Sequence, residues 1–429
     1  MAMAKSAPHV YLSALPFAPT CSLVSTHYSG SFPRILHVER GRLSHWPSSE
    51  MVISNVGSGV QSIALSPDGQ RIVSGSFNGT IRVWEATTGG TAAGPFTGHT
   101  DSVRSVAFSP DGHHIVSGSD DGTIRVWNAI TGETVAGPFT GHTDSVNSVA
   151  FSPDGHHIAS GSDDETIRVW NVTTGETVAG PFTGHTDSVN SVAFSPDGRH
   201  IVSGSKDRTI RVLNATTGET VPDLFTGQAS SVQSVAFSPD GHHIISGSST
   251  SFLSNFSHET MRVWNVTTGE TVAGPFTGHT DTVNSVAFSS DGHHIVSGSF
   301  DRTIRVWNAT TGETVAGPFT GHRGPINSVA FSPNGHHIVS SSNDRTIRIS
   351  DVTKWKTETK NDVDFTDHSV INDEGWICGS KGELLMWIPP MHREHLHHPS
   401  TIWTSGEHET RLDLSTFVHG RSWATCIDT

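Results

Sequence analysis

One block of sequence returns along this chain with a period of 43 residues. Its Gly-His pair falls at Gly98-His99, Gly141-His142, Gly184-His185, Gly278-His279 and Gly321-His322. A degenerate copy begins at Gly227-Gln228, and the step after it is longer by 8 residues. One step before Gly98 lies Asn55-Val56, degenerate again. A second mark keeps the same beat: Trp84, Trp127, Trp170, Leu213, Trp264, Trp307 and Ser350. Seven copies therefore run from residue 55 to 363. A unit this short cannot bury its own faces. It folds only by stacking on its neighbours, so the repeat decides the architecture before any single motif does.

Each copy reads as strands. Ser-Val-Ala-Phe-Ser, His-His-Ile-Val-Ser-Gly-Ser, Thr-Ile-Arg-Val-Trp-Asn and Glu-Thr-Val-Ala-Gly-Pro-Phe are short runs of Val, Ile, Thr and Phe. Ser-Pro-Asp-Gly, Asp-Asp-Gly and Thr-Thr-Gly separate them as turns. The 43 Gly and 21 Pro of the chain fit many short strands better than helices. Four strands per copy make one blade of a β-propeller, and closing the ring removes exposed sheet edges.

The spacing Gly-His, then Ser-Gly-Ser-x-Asp, then Trp-Asn resembles the WD40 repeat family over about 70 % of the chain. In most copies Asn stands after Trp where that family usually has Asp. The resemblance implies an all-β, seven-bladed propeller of four-stranded blades, used as a rigid platform for other proteins. The flanks, His-Val-Tyr-Leu-Ser-Ala-Leu-Pro-Phe-Ala-Pro, Gly-Glu-Leu-Leu-Met-Trp-Ile-Pro-Pro and Phe-Val-His-Gly-Arg-Ser-Trp, resemble those of fungal NACHT–WD40 proteins of the vegetative-incompatibility type. In that family an NTPase module precedes the propeller. No Gly-x-x-x-x-Gly-Lys-Ser/Thr occurs in this sequence, and Gly379-Ser380-Lys381-Gly382 does not match it. Nucleotide-driven switching is therefore not expected of these residues themselves.

The layout expected is a leader or closure segment at 1–50, the propeller at 51–353 and a C-terminal extension at 354–429. Lys354 to Asp367 reads as the outer strand of the last blade or as a linker. The tail holds Trp376, Trp387, Trp403 and Trp423, too aromatic for a disordered segment. Its Gly-Trp-Ile-Cys to Leu-Leu-Met-Trp stretch reads as a hairpin. The alternative architecture is an eighth blade, in which this hairpin joins Ile35-Leu36-His37-Val38 or Met51-Val52-Ile53.

Charge and cysteine content exclude several functions. Lys and Arg total 26 against 41 Asp and Glu, a net charge of −15 with no basic run, which argues against nucleic acid. The three cysteines, Cys21, Cys378 and Cys426, form no CxxC pair, so neither a disulfide framework nor a cysteine metal site is expected. No apolar run reaches the ~18 residues of a membrane span. Pro16 and Pro19 interrupt the leader, which is not read as a signal peptide. The expected compartment is the cytoplasm, with the nucleus left open.

Within a copy, His99, Ser117, Asp121 and Trp127 match the structural tetrad of the resembled family. So do His142, Ser160, Asp164 and Trp170, and His279, Ser297, Asp301 and Trp307. His185, Ser203 and Asp207 lack the Trp, as do His322, Ser340 and Asp344. The expected physics is a buried polar network in which imidazole lies between carboxylate and hydroxyl. Ser, His and Asp also suggest a hydrolase triad. A triad is needed once and exposed, whereas this set recurs, so no catalytic residue is assigned. No cofactor and no metal are expected. The degenerate copies, with Val56 and Asn78, Leu213, Gln228 and His258, or Ser350, are the expected weak blades, each broken network costing about 1–3 kcal/mol.

The 28 histidines include pairs after the Asp-Gly turn: His113-His114, His156-His157, His242-His243, His293-His294 and His336-His337, with Arg199-His200 as a variant. Neighbouring strand residues point to opposite sides, so a pair offers one ligand per direction. The pairs are read as exposed strand starts, with a pH-sensing ring as the rival reading.

The copies differ most beside the tetrad Asp: Phe77, Asp120, Asp163, Lys206, Phe300 and Asn343, with Phe252 and Phe256 in the insertion of the fifth copy. They differ again after the first Val: Gln61, Arg104, Asn147, Asn190, Gln233, Asn284 and Asn327. Both sets are expected around the channel mouth on the Gly-His face. Together they form the expected partner-binding face, for proteins or peptides and neither nucleic acid nor membrane, with exposed aromatics as anchors. Drift at tolerant turns is the competing reading. The function expected is a non-enzymatic interaction scaffold. The alternatives are the sensor half of a NACHT-type receptor without its NTPase and, further off, an enzyme or glycan binder on a propeller.

Overall fold

The computed structural model describes residues 37–40, 49–54, 56–220, 225, 228, 230–249, 261–352, 370–371, 376–378, 384–387 and 411–413. The chain divides into two units, Ser49–Thr357 and a second formed by Met1–Ser48 with Glu358–Thr429.

The first unit is a ring of seven blades. Blade 1 runs Val60–Leu65, Arg71–Ser76, Ile81–Glu85 and Thr91–Phe96, from the channel outward, with each strand antiparallel to the next. Blades 2, 3, 5 and 6 repeat this order, beginning at Val103, Val146, Val232 and Val283. In blade 4 the described strands are Val189–Phe194, His200–Ser205 and Ile210–Asn214, with a bridge from Leu213 to Thr220. Among the described residues there is no helix.

Blade 7 takes three strands from its own repeat, Ile326–Phe331, His337–Ser342 and Ile347–Asp351. Its outer strand is Ser49–Ile53 from the start of the ring, paired Ser49 to Ser350, Met51 to Ile349, Val52 to Arg348 and Ile53 to Ile347. This corrects the eighth-blade alternative. Met51-Val52-Ile53 completes the seventh blade, because the Ile347–Asp351 edge would otherwise be left unpaired. Residues 354–367, read as that outer strand or a linker, lie outside the described residues.

The blades are joined by one contact used seven times. The inner-strand serine of each blade accepts the backbone N–H of a residue on the next inner strand. Ser62 accepts from Val106, Ser105 from Val149, Ser148 from Val192 and Ser191 from Val235, at 3.0–3.1 Å. Ser234 accepts from Val286 and Ser285 from Val329, and Ser328 accepts from Ile63 at 3.3 Å, closing the ring. Apolar packing follows the same path. The last Phe of an outer strand lies against the Trp of the following blade: Phe96 on Trp127 at 6.0 Å, Phe139 on Trp170 at 6.1 Å and Phe276 on Trp307 at 5.6 Å. At the closure, Ile53 and Met51 take that place beside Trp84.

In the second unit His37–Arg40 pairs with Arg411–Asp413. A separate three-stranded sheet holds Val370–Ile371, Trp376–Cys378 and Leu384–Trp387. Among the described residues, the hairpin of the tail pairs with no strand of the N-terminal segment.

Candidate functional site

The Gly-His loops and the turns between second and third strands lie on one face, and the tetrads fasten them together. In blade 2 the Trp127 indole N–H donates to Ser117 Oγ at 2.8 Å. The hydroxyl lies 2.7 Å from His99 Nε2, and His99 Nδ1 lies 2.9 Å from Asp121 Oδ2. Since the hydroxyl accepts from the indole, its own proton points to Nε2, and Nδ1–H donates to the carboxylate. Asp121 then accepts the Thr100 N–H at 3.0 Å and the Thr123 hydroxyl at 2.6 Å. One carboxylate thus ties the loop between blades to the turn within the blade.

The same His–Asp and His–Ser contacts occur in blades 3, 4, 6 and 7, through His142, His185, His279 and His322. Leu213 in blade 4 is buried where blades 2, 3 and 6 have Trp, and Ser350 stands at that position in blade 7. In blade 5 Gln228 Nε2 donates to Ser246 Oγ at 2.5 Å, replacing the imidazole, and Trp264 donates to the same oxygen at 2.9 Å. In blade 1 only the Trp84 to Ser74 bond of the set remains, while Asn78 Oδ1 accepts from the Thr80 hydroxyl. His258 lies outside the described residues.

Burial pushes the imidazoles of His99, His142, His185 and His322 below their ordinary value of 6.5, against the pull of the paired carboxylates. Burial works to raise the carboxyls, but hydrogen bonds from Thr hydroxyls, backbone N–H groups and the imidazoles outweigh it. Asp207 is held at about 2, and Asp121, Asp164, Asp301 and Asp344 are likewise low. Both shifts give the unfolded chain more protons than the folded one, so stability rises with pH. The imidazole share is complete above 6.5 and is lost as the pH falls below it. The carboxylate share is lost below 3.8, toward about 2 for Asp207. Calorimetry is expected to give a melting temperature roughly 5 °C lower at pH 5 than at pH 7, and a steeper fall below pH 4. A flat or rising profile between pH 7 and pH 5 contradicts this. His99→Gln, copying the Gln228 arrangement, is expected to flatten the slope.

Four of the seven inner-strand positions at this mouth hold latches between blades. The side-chain amide of Asn190 donates to Val232 O and that of Asn284 to Ile326 O, both at 2.8 Å. Asn327 donates to Val60 O at 2.7 Å, across the closure. Asn147 donates to Val189 O at 3.2 Å and to Asp163 at 2.7 Å. Arg104 pairs with Asp120 at 2.6 Å, Gln233 donates to Ser231 at 3.0 Å, and Gln61 is half-buried. Outward of this belt Phe77 is 42 % and Phe300 51 % exposed, and Asn343 and Lys206 are exposed. Phe252 and Phe256 lie outside the described residues.

The turn beside the tetrad Asp needs a left-handed residue. Gly79 and Gly122 supply it in blades 1 and 2 with φ of 77° and 74°. Glu165, Arg208, Arg302 and Arg345 hold the same conformation, with φ from 67° to 71°, at a cost a glycine avoids. These residues close the window that differs most between copies, and their alignment with the two glycines is the sequence signal for the left-handed conformation.

The opposite mouth is different. There the Phe-Ser-Pro segments of several copies, Phe108 and Phe151 among them, line a cavity of about 540 Å³. The first histidine of each pair is exposed. The second is half-buried at the strand start, with His157, His243 and His294 each 4.0 Å from the Asp three residues earlier. Among the described residues no three His, Cys, Asp or Glu are grouped to hold a metal ion, and no helix is long and apolar enough to cross a membrane.

Residues 50–85, 90–128, 133–171, 176–214, 220–265, 270–308 and 313–351 each match the family model described as "WD domain, G-beta repeat". Over 89 residues the chain is 42 % identical to "Vegetative incompatibility protein HET-E-1" of Podospora anserina. That stretch is 21 % of this chain and 7 % of the relative, so the chain spans a small part of the relative's length.

Proposed function

Because the chain belongs to the WD40 repeat family, we propose that it is a non-enzymatic platform that holds a protein or peptide on its Gly-His face. One observation carries this reading. The copies are nearly identical where they pack and differ where their turns surround the channel mouth on that face, and there Phe77 and Phe300 stand 42 % and 51 % exposed. Buried, repeated Ser-His-Asp sets argue for a structural role of those residues rather than turnover. The mechanism is presentation: a closed ring holds its turns in fixed positions, so little ordering cost falls on binding.

The test is affinity capture from host lysate with the intact chain and with a variant carrying Phe77→Ala, Arg104→Ala and Phe300→Ala. Those positions lie at the surface, so the variant is expected to fold and to lose the captured partners. Retention of the same partners by a folded triple variant refutes the assignment of this face.

The HET-E-1 match favours a second reading, in which this propeller is the ligand-recognition part of a NACHT-type signalling receptor. An in-frame NTPase module upstream of Met1 in the gene supports it, and an upstream stop codon in every transcript opposes it.

A further inference from the structure

Charge is divided unevenly around the Gly-His face. In blades 2 and 3 it presents Asp101, Asp144 and Glu165, all exposed. From blade 6 through blade 7 to blade 1 the sign reverses. Phe300 and Arg302 stand on the turn of blade 6, Arg323 begins blade 7, Asn343 and Arg345 form its turn, and Phe77 follows on blade 1, all exposed. Their continuity is given by backbone contacts. Arg323 N–H donates to Asp344, next to Arg345, at 2.7 Å. Asn343 N–H donates to Pro325 O at 3.2 Å, and Phe77 N–H to Gly59 O at 3.1 Å. A Cβ on Gly59 would meet both the Phe77 ring and the Asn343 carbonyl.

The carboxylates inside this sector are turned away from solvent. Asp301 is bound to His279 and Asp344 to His322, with side chains 8 % and 10 % exposed. Asp281, half-buried and next to the Thr282 whose carbonyl accepts the Phe300 N–H, accepts the Thr282 N–H at 2.7 Å. In blade 4, by contrast, Lys206 lies 3.8 Å from Asp187. Beneath the sector a further cation, Arg348, is partly buried. Burial lowers its affinity for a proton, the Asp344 carboxylate partly offsets this, and nearby Arg323 lowers it further. On a chain of net charge −15, three exposed arginines with no carboxylate ion pair among the described residues form a local field of the opposite sign. Two of them, Arg302 and Arg345, hold φ of 70° and 67° where blades 1 and 2 have glycine. Strain of this kind is retained where a side chain has a task.

We propose that this sector binds a short acidic peptide, its Asp and Glu carboxylates engaged by Arg302, Arg323 and Arg345 and an aromatic or aliphatic side chain resting against Phe77 or Phe300. The inference rests on the reading of the Gly-His face as the docking face and names the ligand class it takes. Guanidinium forks suit carboxylates, and exposed aromatics flanking them supply the apolar anchor.

The test pans a randomised dodecapeptide library on the intact chain at low salt, then measures the selected peptides by fluorescence anisotropy. Two variants accompany it. Arg302→Gly with Arg323→Thr and Arg345→Gly restores residues found in other copies (Gly79, Gly122 and Thr100), so it keeps its melting temperature. Asp101→Ser with Asp144→Ser alters the acidic sector. The expected result is net-negative peptides containing an aromatic or aliphatic residue. The arginine variant is expected to weaken them by at least about tenfold, with the aspartate variant unaffected. Selection of neutral or basic peptides lost in the aspartate variant overturns this inference and leaves the face reading standing. Peptides indifferent to both variants, or no selected peptide, overturn both. Binding only when a phosphoserine replaces the carboxylates overturns the carboxylate assignment.

Discussion

Replacing Ser49–Ile53 by a flexible Gly-Ser stretch of equal length is expected to lower the melting temperature by at least about 10 °C. That strand is the outer member of blade 7, four of its residues having partners along Ile347–Asp351. Ile53 is 5 % exposed and packs with Ile347, Ile349 and Trp84, so it belongs to the core joining the last blade to the first. Losing Ile53 and Met51 from the interior costs about 3 kcal/mol, and the lost ladder bonds about 2 more. The freed Ile347–Asp351 edge then becomes a template for another chain, so size-exclusion chromatography is expected to show aggregates as well. An unchanged melting temperature with a monomeric profile means that Ser49–Ile53 does not close the ring.

Gly204→Val is expected to destabilise the ring by about 3 kcal/mol or more, seen as a shifted urea midpoint with an unchanged slope. A Cβ at Gly204 would lie 2.5 Å from Val232 Cγ1 and 2.9 Å from Val235 Cγ1. Both valines are on the next inner strand, 0 % and 5 % exposed, so neither can swing into solvent. The gain in strand propensity is at most about 1 kcal/mol, too small to offset the clash. Blade 7 calibrates the effect, because it carries Ser341 at the equivalent position, fully buried, with its hydroxyl unpartnered. That seam admits a small side chain, so Gly204→Ser is expected to be milder than Gly204→Val. A Gly204→Val chain as stable as the parent would mean that the blades do not pack at this distance.

The repeat made the blades legible. His114–Ser119, Ile124–Asn128 and Thr134–Phe139 lie within three of the strand runs of one copy, and Val103–Phe108 overlaps the fourth but starts two residues before its Ser-Val-Ala-Phe-Ser, because turn residues bound each apolar run and the run then recurs. What stayed hidden is pairing over long separations. Ser49–Ile53 does not resemble Glu-Thr-Val-Ala-Gly-Pro-Phe, and its partner lies about 300 residues on. Nothing local says which open edge it joins, so the sequence allows an eighth blade where the structure has a completed seventh. The inner-strand serines were hidden in plain view, since an invariant Ser in Ser-Val-Ala-Phe looks like filler until the neighbouring blade supplies a donor. Asn190, Asn284 and Asn327 were read as partner-facing, yet their amides hold carbonyls of the next blade. A side chain at a channel mouth serves the ring when a backbone acceptor lies within reach. That leaves the exposed turn residues, Phe77, Phe300, Arg302 and Arg345 above all, as the ones free to meet a partner.

If the molecule acts by offering its Gly-His face, hydrogen exchange measured on the propeller with and without a captured partner will report where that partner sits. Slowed exchange is expected in the loops and turns at residues 98–102, 120–123, 321–325 and 343–346, with the Ser-Pro-Asp-Gly turns at 109–112, 152–155 and 195–198 unchanged. Protection confined to those Ser-Pro-Asp-Gly turns or to the outer strands would contradict it.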